Sequence, residues 1–293
     1  MLKLINMVSL KTRSFFGMML KSINMKKVLF VGVYFTYFLI FIGLIFVLLP
    51  SGTKQNAAES FALSKDVAEK TVPANDSGKY IILTFDDGWN SQYEAYKLLK
   101  QYNYKGTLYI ISSLIGKKER LTIDNLNDMY NDGWDICNHT ANHVALTKVS
   151  AEEAYDEISS CSSWLIDNGF TRNSGYKHFA YPEGAYNNNI INILKEQGFL
   201  TARTVNSGSD TSTLLELGRA SLYGMNKENI RDLILSDHKL IILSMHRIVP
   251  DYSAEISTID LKQSNFDEVI SSINDSGRKV LTITEWYELR GSI

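Results

Sequence analysis

Two adjacent carboxylates, Asp86 and Asp87, end the run Tyr80-Ile81-Ile82-Leu83-Thr84-Phe85 and are followed at once by Gly88. A β-branched and aromatic run of this kind reads as a buried strand that stops and hands its last side chains to a loop. Strand ends are where α/β proteins place their chemistry. Neighbouring side chains of a strand point to opposite faces, so the two acids share a site only if the alternation breaks, which a glycine makes easy. One carboxylate can then hold a cation while the other takes a proton. The other reading of Thr84-Phe85-Asp86-Asp87-Gly88 is a plain polar turn.

A second group of polar side chains follows the segment Trp134 to Asn138, in Asn138-His139-Thr140-Ala141-Asn142-His143. Histidines four residues apart share one face of a helical turn, so both imidazoles reach a single ion. Such an ion needs a third ligand, and Asp87 is the candidate. Two nitrogens and one oxygen leave positions for water and substrate; the set suits Zn²⁺ and is tolerated by Fe, Co or Ni. His246 ends the apolar run Lys239 to Met245, where a strand tip faces the same loops, and an imidazole there can act as a general acid. His178 and His238 lack such placement and read as structural. Phe179-Ala180-Tyr181-Pro182-Glu183-Gly184-Ala185-Tyr186-Asn187 leaves a strand through Pro182 and Gly184. Its backbone N–H groups can face a developing oxyanion, and the same stretch also reads as an ordinary βα turn.

These groups sit on a chain of alternating strands and helices. After the first strand, Tyr93, Tyr96, Leu99 and Tyr102 recur at helical spacing, then Thr107 to Ile111 is a strand and Leu126, Met129 and Tyr130 mark a short helix. Ser150-Ala151-Glu152-Glu153 opens a helix that Gly169 closes, with Ala154, Ile158, Cys161 and Leu165 on its buried face. Cys161 and Trp134 therefore read as core. Strands at Lys177 to Tyr181, Phe199 to Thr204, near Arg219 to Leu222, Lys239 to Met245 and Lys279 to Ile283 alternate with helices around Ile190, Ile230 and Phe266. About seven such alternations specify a parallel sheet covered by helices, and at 293 residues a closed or nearly closed (β/α) barrel is favoured over an open sheet.

The formal charge of −2 hides an asymmetry. Residues 1–27 hold Lys3, Lys11, Arg13, Lys21, Lys26 and Lys27 and no acid, so the remainder is acidic, which argues against a nucleic-acid partner. Val28 to Leu49 is uncharged and apolar, long enough to cross a hydrocarbon core of about 30 Å and longer than the usual h-region of a cleaved leader. It reads as an uncleaved signal anchor with its basic flank in the cytoplasm, although Met25 as the true start, or cleavage near Ala57 to Ala62, would change that. Residues 50–78 are polar and read as an extracellular linker, leaving 79–293 as the main domain. Two cysteines, Cys137 and Cys161, exclude a disulfide framework of the small secreted kind.

Taken in order, Thr84-Phe85-Asp86-Asp87-Gly88, His139-Thr140-x-x-His143, Tyr181-Pro182-Glu183-Gly184 and Leu243-x-x-His246 resemble the motifs of the polysaccharide deacetylase family, carbohydrate esterase family 4 or NodB homology domain. The likeness spans about residues 79 to 290. It implies a distorted (β/α)7 barrel that removes acetyl groups from N-acetylated sugars with the help of a divalent metal. By that resemblance Asp86 would be the general base, Asp87, His139 and His143 the metal ligands, His246 the general acid, and the Glu183 N–H an oxyanion donor beside Tyr181 and Pro182. Trp89 and Tyr186, next to two motifs, are candidate platforms for sugar rings. The sequence departs from the family where Ala180 replaces the usual arginine and Glu183 an aromatic, and it has no clear fourth motif. Arg219 is the candidate replacement for that arginine, and Asp210 a nominee for the missing support of His246. The form Ala-Tyr-Pro-x-Gly-x-Tyr-Asn resembles the branch acting on extracellular poly-β-1,6-N-acetylglucosamine of biofilms. Peptidoglycan or chitin-type oligomers are rival substrates, and a surface-anchored, inactive glycan binder is the rival from another class. Asn138-His139-Thr140 also fits an N-glycosylation acceptor, but a glycan there would block the metal pair, so the match reads as accidental.

Overall fold

The computed structural model describes residues 78–208, 213–254 and 256–290. The basic arm, the apolar run 28–49, nearly all of the linker and Asp210 lie outside them. Among the described residues no helix is long and apolar enough to cross a membrane.

Strand β1 (Tyr80–Asp86) leads to helix α1 (Ser91–Gln101), β2 (Thr107–Ile110), α2 (Ile123–Asn131), β3 (Asp135–Asn138), α3 (Ala151–Asp167) and β4 (His178–Ala180). Helix α4 (Asn188–Glu196), β5 (Thr201–Ser207), β6 (Leu217–Ser221), α5 (Lys227–Leu235) and β7 (Leu240–Met245) complete the circuit. β1 to β7 pair in sequence order, all parallel, and β7 pairs back with β1 through Tyr80↔Leu240 to Phe85↔Met245, which closes a seven-stranded barrel. Strands β8 (Arg247–Val249) and β9 (Asp260–Lys262) form a small separate ladder before α6 (Gln263–Ser276), β10 (Lys279–Leu281) and α7 (Ile283–Arg290). β10 pairs only with Tyr80–Ile82, whereas β2 pairs with Thr84–Asp86, so β10 occupies the lower part of one edge of β1.

Alternation along β1 divides its side chains. Ile81, Leu83 and Phe85 join the cluster with residues of α1, α2 and α6, while Tyr80 and Ile82 join an inner cluster with Tyr109, Cys137, Ala180, Leu217 and Ile242. Asp86 continues the inner row, which is why a carboxylate ends up inside the barrel mouth. Cys161 and Trp134 are core, and His178 is fully buried against Thr201. The closing strand is shorter than the sequence implies, because Thr282 and Glu285 exchange backbone and side-chain hydrogen bonds as a capping box that starts α7.

Candidate active site

Asp87 adopts φ 72° and so turns out of the strand alternation; the break that lets both acids face the barrel mouth occurs at Asp87 as well as at Gly88. Thr140, His143 and Glu183 also have left-handed backbones, at φ 68°, 61° and 56°. For a β-branched threonine this conformation is strained by about 1–3 kcal/mol, and surrounding bonds must hold it. The helical turn expected for His139 and His143 is therefore absent: His139 directly follows β3, His143 lies in a loop, and the two left-handed residues bring them together. Asn138 Oδ1 accepts from Thr140 N at 2.8 Å, and Thr140 Oγ1 accepts from His143 N at 2.9 Å. From α3, Glu157 accepts from Asn142 N and Nδ2 at 2.8 and 2.7 Å, so one buried carboxylate clamps the loop. Asn138 is itself fully buried, its amide donating to Ile158 O and Ser162 Oγ, which leaves no room for a glycan.

Asp87, His139 and His143 converge with one ligand atom each within 4.8 Å of one another. Asp87 Oδ1 lies 3.5 Å from His139 Nε2 and 3.6 Å from His143 Nε2, close to the separation of about 3.4 Å expected for donors held 2.1 Å from one tetrahedral ion. His139 Nδ1 meets the Ala180 carbonyl at 2.7 Å, so that nitrogen donates and Nε2 keeps its lone pair for the site. Asp87 Oδ2 accepts from Trp89 Nε1 at 3.1 Å, while Oδ1 is buried with no hydrogen-bond partner among the described residues. An orphaned carboxylate oxygen facing two imidazole nitrogens fits a divalent cation. Burial opposes ionisation of Asp87, but the surrounding imidazoles of His139, His246 and His143 outweigh it and keep the carboxyl well below the usual range.

Asp86 stands beside this cluster, and its partner is an arginine that the sequence reading did not single out. Arg203 Nη2 donates to Asp86 Oδ2 at 2.5 Å, with both side chains almost wholly buried. Arg219, the expected replacement for the family's arginine, is on β6 and does not make this bond; only its long-range field and that of Asp86 connect the two. The register explains the substitution, because Ala180 is paired with Arg203 across the β4–β5 ladder. The guanidinium is supplied one strand over from the position where Ala180 stands. His246 Nε2 is 3.5 Å from Asp86 Oδ2, and Ser244 Oγ donates to the same oxygen at 3.4 Å. Burial works against the Asp86 anion, yet Arg203, His246 and His139 more than offset it, so the group is acidic and ionised. Burial, reinforced by Arg203 and His139 and resisted by Asp86 and Asp87, holds His246 below the ordinary imidazole value.

Glu183 sits in the turn Pro182–Gly184 at the end of β4, with its side chain outward and 3.6 Å from Lys148 Nζ. Tyr181 is buried, donates to Leu215 O and stacks on Tyr186, whose hydroxyl accepts from Asn206 Nδ2 at 3.2 Å. Trp89 is less free than a sugar platform would be. The Arg120 guanidinium lies 3.5 Å over its ring and also donates to the Asp87 carbonyl at 3.0 Å, so indole and guanidinium together brace Asp87. Arg120 was not legible from a motif, since it falls in the polar segment between two elements.

Residues 74–202 match the polysaccharide deacetylase family. YxkH of Bacillus subtilis, named after the same family, is 31% identical over 134 residues, 45% of this chain and 47% of that protein. A poly-β-1,6-N-acetyl-D-glucosamine N-deacetylase of Staphylococcus aureus is 28% identical over 131 residues, 40% of this chain and 44% of that protein. The chain thus spans less than half the length of these two curated relatives. A solved structure of the peptidoglycan deacetylase PdaC of Bacillus subtilis aligns at 20% identity over 73% of this chain and 92% of that one, with a TM-score of 0.52, a likeness of fold alone.

Proposed function

Starting from residues 74–202 as a polysaccharide deacetylase segment, we propose that this chain is a metal-dependent hydrolase that removes acetyl groups from N-acetylated sugars of a polysaccharide and releases acetate. The observation that carries the reading is the meeting of Asp87, His139 and His143 around one buried orphan oxygen, with Asp86 and His246 beside it. A divalent ion held by those three ligands, Zn²⁺ or another transition metal, supplies Lewis-acid polarisation of the acetamide carbonyl and a water of lowered pKa. Asp86, kept ionised by Arg203, takes the proton of the attacking water. The Glu183 N–H, in the turn that ends β4, donates to the developing oxyanion. The proton that Asp86 takes passes by way of His246 Nε2, 3.5 Å from Asp86 Oδ2, to the departing amine nitrogen, and acetate leaves. Each turnover converts a neutral acetamide into an amine that is cationic near neutral pH.

The favoured substrate is poly-β-1,6-N-acetylglucosamine, supported by the relative of that name and by the Tyr181-to-Asn187 segment. Peptidoglycan is the second reading, because a relative in Listeria monocytogenes named as a peptidoglycan N-acetylglucosamine deacetylase is 31% identical over 107 residues. The guanidinium that Arg203 brings to Asp86 weighs against an inactive glycan binder. Acetate release from β-1,6- and β-1,4-linked N-acetylglucosamine polymers with added Zn²⁺ tests both points. Release from the β-1,6 polymer that disappears in Asp86→Asn supports the reading, and no release from any acetylated glycan refutes it. The apolar run 28–49 supports a location of the domain on the outer cell surface. A protease added to intact cells should then remove it, and full protection would overturn that placement.

A further inference from the structure

Gln92, the second residue of α1, is fully buried, and its Nε2 donates to two backbone carbonyls, Asp86 O at 2.6 Å and His246 O at 2.9 Å. Those carbonyls belong to the residues read above as base and acid. The β1–β7 ladder runs in register as far as Phe85↔Met245, so Asp86 and His246 would form its next rung. The left-handed turn at Asp87 carries β1 away there, and the glutamine amide spans the seam where backbone pairing stops. One residue earlier, Ser91 Oγ accepts from Ile248 N at 3.0 Å, so the start of α1 grips the chain on both sides of Arg247.

The orientation of the amide is fixed by its surroundings, since two carbonyl oxygens demand the NH₂ and leave Oε1 elsewhere. Oε1 is buried without a hydrogen-bond partner among the described residues. A hydrocarbon side chain of similar size would remove that unpaired acceptor but leave the Asp86 and His246 carbonyls without their shared donor, so what the amide adds beyond packing is the tie between those two carbonyls.

We propose that Gln92 is a positioning residue that sets the separation of Asp86 from His246 by tying their backbones, so that proton acceptor and proton donor face one bound acetamide together. The proposal rests on the deacetylase reading. A displacement of about 1 Å at such a pair is enough to lower turnover on the order of a hundredfold, while the metal ligands are untouched.

The test is a double-mutant cycle on the metal-loaded full chain, reading kcat and KM for acetate release, metal stoichiometry and the thermal midpoint. Gln92→Leu is expected to lower kcat on the order of 30-fold with KM within about twofold, with metal stoichiometry like wild type and a thermal midpoint lowered by the loss of two buried hydrogen bonds but a chain that still folds. In a His246→Ala background the same change should cost less than about twofold, because the group it positions is already gone. Gln92→Met, unbranched and without donors, gives the same cycle if the leucine variant does not fold. Losses that multiply in the double variant, or a kcat that stays at the wild-type value, overturn the proposal. A wild-type chain that releases no acetate overturns the reading of the site itself, and the two failures are thereby distinct.

Discussion

Arg203→Leu perturbs the site at its most buried charge pair. Both side chains are about 3% exposed and meet at 2.5 Å, so the substitution leaves the Asp86 carboxylate without its cation in a place water does not reach. Breaking a buried pair in this way costs about 3–5 kcal/mol. His246 at 3.5 Å and Ser244 at 3.4 Å still face the same oxygen, which favours the lower end, about 3 kcal/mol. At 1.36 kcal/mol per pH unit, that is an upward shift of about two units in the Asp86 pKa. The sign follows from the lowered native value: ionised Asp86 stabilises the fold above its unfolded pKa, and that contribution is lost as pH falls through the native one. In the variant the acidic limb of kcat/KM should therefore move up by about two pH units, and urea unfolding at pH 7 should show a loss of about 3 kcal/mol. Arg219→Leu should leave the limb in place. Acetate release followed from about pH 3 to pH 9 with parallel urea titrations reads both. A limb unmoved in Arg203→Leu, or moved further in Arg219→Leu, would refute the pairing.

Trp89→Phe removes the donor to Asp87 Oδ2 but keeps a ring; calorimetry should show metal affinity reduced about tenfold with KM nearly constant. A raised KM with unchanged metal affinity would make Trp89 a sugar platform instead. Glu157→Leu releases the loop that carries His143, and competition with a chelator should reveal metal binding about 10- to 100-fold weaker; unchanged affinity would show that the clamp is dispensable. His178 is pushed down by burial to about 3, so below its unfolded pKa the unfolded chain gains a proton that the native one refuses. Wild type should consequently lose about 2 kcal/mol more than His178→Phe on going from pH 7 to pH 5 in urea unfolding, and equal losses would contradict this burial.

The strand ends that carry Asp86 and His246 were legible because each closes an apolar run, and burial in a parallel barrel writes itself directly into such runs. The approach of His139 to His143 was legible as a pair but not as a shape. Its geometry depends on left-handed Thr140 and on Glu157 reaching across from α3, neither of which leaves a periodic trace. Arg203 was missed for a comparable reason. The strand Phe199 to Thr204 was read from its apolar residues, and the signal available was the arginine in its middle, which in a buried strand requires a buried anion. Choosing it over Arg219 needed the Ala180↔Arg203 register, a fact about pairing that no local pattern encodes. The position of Trp89 beside a motif suggests a platform, and its hydrogen bond to Asp87 with Arg120 over the ring adds a bracing contact that no local pattern encodes.

Where a cation binds tests the site most directly. Crystals of the domain soaked with Zn²⁺ and measured at the zinc absorption edge should give one strong anomalous peak within about 2.0–2.2 Å of Asp87 Oδ1, His139 Nε2 and His143 Nε2. Zinc bound elsewhere, or no peak among those three side chains, would contradict it.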